Sequence, residues 1–207
     1  MTEFNDKQIE ILQAAEQLFA DEGFDGASIR TIAKEAHVNI AMISYYFGSK
    51  EKLLEALIIH RTSDMRLRLE DIFSQNLSSV EKVDLLIDLY ISRINKNKCM
   101  YQIMHFELST KKRIMNMQSF IDLKRQNLEV FKKIIEEGQD SGIFRKDVNI
   151  IMIPPTIMGT LVHFQTNRQY FELILDLETD EKYELYIENE LTAHIKQTIK
   201  ALLVHEN

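Results

Sequence analysis

The stretch from Ser28 to Leu54, SIRTIAKEAHVNIAMISYYFGSKEKLL, leaves the chain few ways to fold. Ser28 is placed to cap a short helix with Ile29, Ile32 and Ala33 on one face and Arg30, Thr31 and Lys34 outside. Ala36-His37-Val38 breaks that pattern, and Asn39 caps a second helix whose Ala41, Met42 and Ile43 run into Ser44-Tyr45-Tyr46-Phe47. Gly48-Ser49 ends it, and Ser49 caps the helix that Lys50 begins. Small Ala33 and Ala36 let two short helices approach closely at a steep angle, with Val38 and Ile43 closing the wedge. This pattern reads as a helix-turn-helix whose second helix turns its outer face away from the core.

The rest of the chain carries helical periodicity throughout. Asn5 or Asp6 can cap a first helix to about Glu22, with Ile11, Leu12, Ala15, Leu18 and Phe19 in register and Gly23 where a C-cap glycine belongs. The three helices predict a small core that includes Leu18, Phe19, Ile32, Val38, Ile43 and Phe47. From Ser49 one long helix is expected to about Phe73, stiff because it holds no internal Gly or Pro. Ser78 and Glu81 form a capping box before a helix carrying Val83, Ile87, Tyr90, Ile91 and Ile94. Asn95-Lys96-Asn97-Lys98 interrupts it, and Met100 to Leu108 follows as a short apolar helix. Lys111-Lys112-Arg113 reads as a solvated basic face. A helix from about Met115 to Gln139 stops at Ser141-Gly142, one that begins in an uncharged stretch runs from Pro154 to about Leu175, and a last one from about Glu181 to His205. No strand is predicted, so the fold class is all-α.

Composition limits the functions available. A formal charge of -7 argues against nonspecific coating of nucleic acid, so any DNA contact must come from a local patch. Such a patch exists between Ser28 and Lys52, where Arg30, Lys34, Lys50 and Lys52 outnumber Glu35 and Glu51. A lone Cys99 excludes an intramolecular disulfide framework, and MTEFNDKQIE has neither a basic region nor an apolar run, so a cytoplasmic protein is expected. Val148 to Asn167 is uncharged over a length that could span a bilayer. Its two prolines, three threonines, His163 and Gln165 point instead to a helix buried in a protein interface.

The motifs between Ser28 and Lys50 resemble the DNA-binding domain of the TetR family of bacterial transcriptional regulators. They are IA-x-x-A at Ile32 to Ala36, YYF at Tyr45 to Phe47 and SKE at Ser49 to Glu51. Leu18-Phe19 followed by Glu22-Gly23-Phe24 is similar to that family's first helix and exit turn, so the likeness covers roughly residues 5 to 60. It implies a helix-turn-helix DNA-binding domain over 1–50 and a helical ligand-binding and dimerisation domain over 51–207, joined by a long helix. It also implies a homodimer made through the last two helices, an inverted-repeat operator on double-stranded DNA, and repression relieved by a largely apolar small molecule.

The candidate DNA contacts follow from the chemistry each residue offers. Ser28, Tyr45, Tyr46 and Lys50 suit phosphate. Asn39, Ile40, Ala41 and Met42 begin the second helix and suit base edges, with Arg30 or Thr31 helping. The resembled family usually has a small residue where His37 stands. For the effector, the candidates are Met100, Met104, His105, Phe106, Met117, Phe120, Phe131 and His163, since flexible Met side chains and aromatics suit an apolar ligand. The competing reading of each is plain core. The six histidines form no His-x3-His pair, and no phosphate-cradling glycine loop or nucleophile motif occurs. No metal, cofactor or catalytic residue is therefore predicted, and an enzyme is not. The alternative is a helical ligand-binding or interaction protein whose helix-turn-helix is only structural.

Overall fold

Asn5 opens the first helix with a reciprocal cap. Its side chain accepts the Gln8 N–H at 2.9 Å, while Gln8 Oε1 accepts the Asn5 N–H at 3.0 Å. The structure is a computed structural model that describes residues 4–110 and 118–204. Its helices in chain order are α1 (Asp6–Gly26), α2 (Ile29–Glu35), α3 (Ile40–Phe47), α4 (Lys50–Thr62), α5 (Met65–Ser74) and α6 (Ser79–Lys96). There follow α7 (Lys98–Thr110), α8 (Gln118–Asp140), α9 (Ile153–Thr166), α10 (Arg168–Ile174), α11 (Asp180–Tyr186) and α12 (Thr192–Leu203). Among the described residues there is no β-sheet, and one bridge pairs Phe144 with Val204. The expected basic face at Lys111-Lys112-Arg113 and the start of the helix placed at Met115 lie outside the described residues.

The chain forms two compact units, residues 1–65 with 97–125 and residues 66–96 with 126–207. In the first, α1 packs against α2, α4 and α7. Ile11, Leu12, Ala15, Ile32, Leu53, Leu54 and Leu57 are fully excluded from solvent there. Gly23 breaks α1 with φ 71°, a left-handed turn that glycine adopts without a Cβ clash, and Phe24 then folds back against Phe19 with ring centroids 5.1 Å apart.

In the second unit α6 packs against α9 and α12. A row of polar bonds follows the apolar seam: Lys200 to Asp84 and Lys196 to Asp88, both at 2.7 Å, then Asn95 to Glu184 at 2.7 Å and Gln165 to Asn95 at 3.0 Å. Lys82, buried on α6, pairs with Glu137 of α8 at 2.8 Å. Gly138 and Gly142 close α8. Both the Ile143 and the Phe144 N–H donate to Gly138 O at 2.9 Å, and Gly142 takes φ 74°.

Three expected helices are divided. The single helix from Ser49 to about Phe73 is α4 and α5, broken at Ser63-Asp64. The Thr62 hydroxyl donates to Ile58 O at 2.7 Å and Ser63 to His60 O at 3.0 Å, so side chains compete for carbonyls at that end. The helix from Pro154 to about Leu175 is α9 and α10. It breaks at Asn167, which has ψ 32° and whose amide donates to His163 O at 2.9 Å. The last helix is α11 and α12 joined by a π turn at Ile187–Leu191, where the Thr192 hydroxyl donates to Ile187 O at 2.6 Å. No helix among the described residues is long and apolar enough to cross a membrane.

Candidate nucleic-acid interface

Local side chains set the ends of α2 and α3. Ser28 Oγ accepts the Thr31 N–H at 3.0 Å and meets Thr31 Oγ1 at 2.5 Å. The turn closes with the Ala36 N–H on Ile32 O and the Val38 N–H on Ala33 O, both at 2.9 Å. His37 takes φ 51° there, a left-handed conformation that His tolerates better than a β-branched residue. Asn39 Oδ1 then accepts the Ala41 N–H at 2.9 Å and starts α3. Gly48, at φ 81°, ends that helix, and Ser49 Oγ accepts the Lys52 N–H at 3.2 Å to start α4.

These ends leave α3 buried on one face only. Ile43 and Phe47 enter the core with Ile32, Ala33 and Ala36. Asn39, Ile40, Ala41 and Tyr45 are exposed, and Met42 is half-buried. Ile40 stays 44% exposed and Tyr45 84%, although both would favour burial. Tyr46 is half-buried and meets Tyr45 edge-on at 5.3 Å and Phe47 at 6.4 Å. Ser28, Arg30 and Thr31 stand exposed on α2. The surface thus offers phenol and hydroxyl groups, one guanidinium and a short apolar strip of a size to meet thymine methyls.

Lys50 is placed differently from expectation. Its ammonium donates to Phe24 O at 2.7 Å and Ala27 O at 2.8 Å, and it lies 4.4 Å from the centre of the Phe24 ring. The side chain is occupied inside the domain. Sequence reading missed this, although a cation at the first residue of a helix, against its dipole, is a signal that a partner is needed.

A second tie was also missed. Glu16, 8% exposed, accepts from Arg61 Nε at 2.9 Å and Nη2 at 2.5 Å, joining the end of α4 to α1. A carboxylate among Leu12, Ala15 and Phe19 in one apolar stripe was the available signal. Beside it, His60 meets the Phe4 ring edge-on at 5.6 Å, and burial followed by the Arg61 charge holds its pKa below 6.5.

The residues expected to meet an effector fall in both units. Met100, Met104 and Phe120 are buried in the core of the first unit, where Phe106 is half exposed. Phe131 is buried in the second unit, packing edge-on against Tyr90 at 6.2 Å, and His163 is exposed on α9. His105 lies on α7, and Met117 falls outside the described residues. Two open hollows in the second unit have other linings. One, of about 250 Å³, is bordered by Arg145, Asn149, Met152, Thr156 and Leu202; the other, of about 200 Å³, by Arg66, Phe73, Gln126, Val130 and Lys133. Among the described residues no group of three or more His, Cys, Asp or Glu could hold a metal ion.

Comparison with known proteins agrees with this architecture. Residues 11–57 match the family described as bacterial regulatory proteins, tetR family, and residues 80–199 match the tetracyclin repressor-like C-terminal domain. The chain is a member of the TetR family of bacterial transcriptional regulators. It is 30% identical over 182 residues to the HTH-type transcriptional repressor NicS of Pseudomonas putida, covering 83% of this chain and 82% of that one. The fatty acid metabolism regulator protein of Bacillus subtilis is 24% identical over 172 residues, 81% of this chain and 88% of that one. The crystal structure of FadR from Bacillus subtilis in complex with stearoyl-CoA superposes with a TM-score of 0.71 at 21% identity, over 91% of this chain and 95% of that one. That likeness shows a shared fold.

Proposed function

We propose that this regulator is a cytoplasmic homodimeric repressor that reads an inverted-repeat operator with α3 and is released from it by a small, largely apolar molecule. One observation carries the reading: α3 buries Ile43 and Phe47 while leaving Asn39, Ile40, Ala41 and Tyr45 in solvent. An apolar strip kept exposed on a short, capped helix suits a major groove. In a chain of formal charge -7, phosphate attraction stays local to Arg30 and neighbouring groups, and this favours a specific site over general coating.

In this reading residues 1–50 bind DNA and 51–207 bind effector and partner, the two copies meeting through α9 to α12. Ser28, Thr31, Tyr45 and Tyr46 meet phosphates, while Asn39, Ile40, Ala41 and Met42 meet bases. Effector binding belongs to the C-terminal helices. Phe106 and His163 are the first positions to vary there, with buried Met100, Met104, Phe120 and Phe131 becoming contacts only if the effector opens the core. Release follows from differential binding, the effector favouring a dimer whose reading helices no longer fit adjacent grooves. The protein acts by occupancy rather than by turnover.

The test is selection of duplexes from a random pool by the purified protein at two salt concentrations. An enriched inverted repeat with steep salt dependence is the expected result, with Tyr45→Ala weakening binding on the order of tenfold across sequences at unchanged melting temperature. No enrichment by a folded dimer would overturn the proposal.

A further inference from the structure

Lys50 sits at the junction of three elements. It is the first residue of α4, it follows the Gly48-Ser49 turn that ends α3, and it bonds to the segment joining α1 to α2. A lysine there opposes the positive end of the α4 dipole, so the site needs acceptors. Two carbonyls supply them, at 2.7 and 2.8 Å, from Phe24 and Ala27 just beyond the Gly23 break. Phe24, 3% exposed, adds its ring face at 4.4 Å.

We propose that Lys50 is a positioning residue for DNA recognition. It fixes the exit of α3 against the start of α2, and so sets the spacing between the Ser28 and Thr31 hydroxyls and the Tyr45 and Tyr46 phenols, without itself binding phosphate. This rests on the DNA-binding reading above. The connectivity supports it: Ala27, whose carbonyl Lys50 holds, is bonded directly to Ser28, the cap of α2. Lys50 stands two residues beyond Gly48, where the helix carrying both tyrosines ends. One ammonium therefore ties together the two ends that would straddle the DNA backbone. Swinging it out to a phosphate would break two part-buried hydrogen bonds and vacate the Phe24 ring.

The experiment uses the full-length protein on the duplex it selects. With Lys50→Met, which keeps the length and loses the N–H groups, affinity should fall on the order of tenfold while the slope of log affinity against log salt stays that of the wild type. A direct phosphate contact predicts a slope shallower by about 0.9 per Lys50, or about 1.8 for a dimer, and that result would overturn the proposal, as would unchanged affinity. Lys50→Arg, which restores donors toward both carbonyls, should recover most of the loss.

Should Lys50→Met not fold, acylation of lysines in the wild type still decides the matter. Lys50 should react more slowly than exposed Lys34 and Lys52 in free protein, with no added protection when DNA binds. A Lys50 as reactive as those two without DNA, or one that DNA newly protects, removes the basis for the proposal. Wild-type protein that selects no duplex would instead defeat the DNA-binding reading, and this proposal with it.

Discussion

The two units hold their helices by different means. In the first, α1, α2, α3 and α4 each begin with a side chain that caps its own turn, namely Asn5, Ser28, Asn39 and Ser49. Two long-range cations, Lys50 and Arg61, then tie the set together. In the second, Ser78 and Thr179 also cap α6 and α11 locally, and ion pairs between its long helices join residues far apart in the chain, from Lys82 to Glu137 and from Asp84 to Lys200. Helices as short as α2 and α3 need local definition because few residues are available to pack, whereas long amphipathic ones such as α6 also draw on what they lie against.

The contrast is broken most severely at Gly138. A Cβ there would stand 2.1 Å from the Phe144 ring carbon Cδ2, and Phe144 is itself 2% exposed. Gly138→Ala is expected to cost about 2 kcal/mol or more by overpacking, lowering the melting temperature by roughly 2–4 °C for each kcal/mol. A melt equal to the wild type's would show that the second unit yields where its packing says it cannot.

A smaller effect is expected in the first unit from Ser28→Ala, which removes the cap of α2 and should cost about 1 kcal/mol in thermal or urea unfolding. Loss as large as that of Gly138→Ala would mean that the short helices depend on one cap more than on their shared core.

The smallest expected effect is the pH response of His60. Its folded pKa is lowered, first by burial and then by Arg61, against weaker opposite pulls from Glu16 and Asp64. As pH falls below 6.5 the unfolded chain takes up the proton first, so the folded form loses stability from there down through the folded pKa. The melting temperature of the wild type should therefore drop more between about pH 7.5 and 5.5 than that of His60→Gln. Parallel curves would assign the acid sensitivity to other groups.

How far the sequence was legible depended on the kind of bond, not on the unit that holds it. The caps at Ser28, Asn39 and Ser49 and the Ser78–Glu81 box were readable because each is a bond between residues two or three apart. The breaks at Ser63 and Asn167 were not, since apolar spacing continues through both and only hydroxyl and amide groups bonding back to carbonyls mark them. At the candidate interface, the outward residues of α3 could be named from periodicity, but the occupation of Lys50 could not.

The sequence alone determined the all-α class, the helix-turn-helix between Ser28 and Phe47 and the family, because caps, helical spacing and short motifs are local properties of the chain. Only the tertiary structure decided that Lys50 closes on Phe24 and Ala27, that Arg61 closes on Glu16, and that Met100 and Phe120 pack in the core of the first unit. The physical reason is that a long side chain's partner is whatever acceptor folding brings within about 3 Å, and sequence spacing carries no record of that distance.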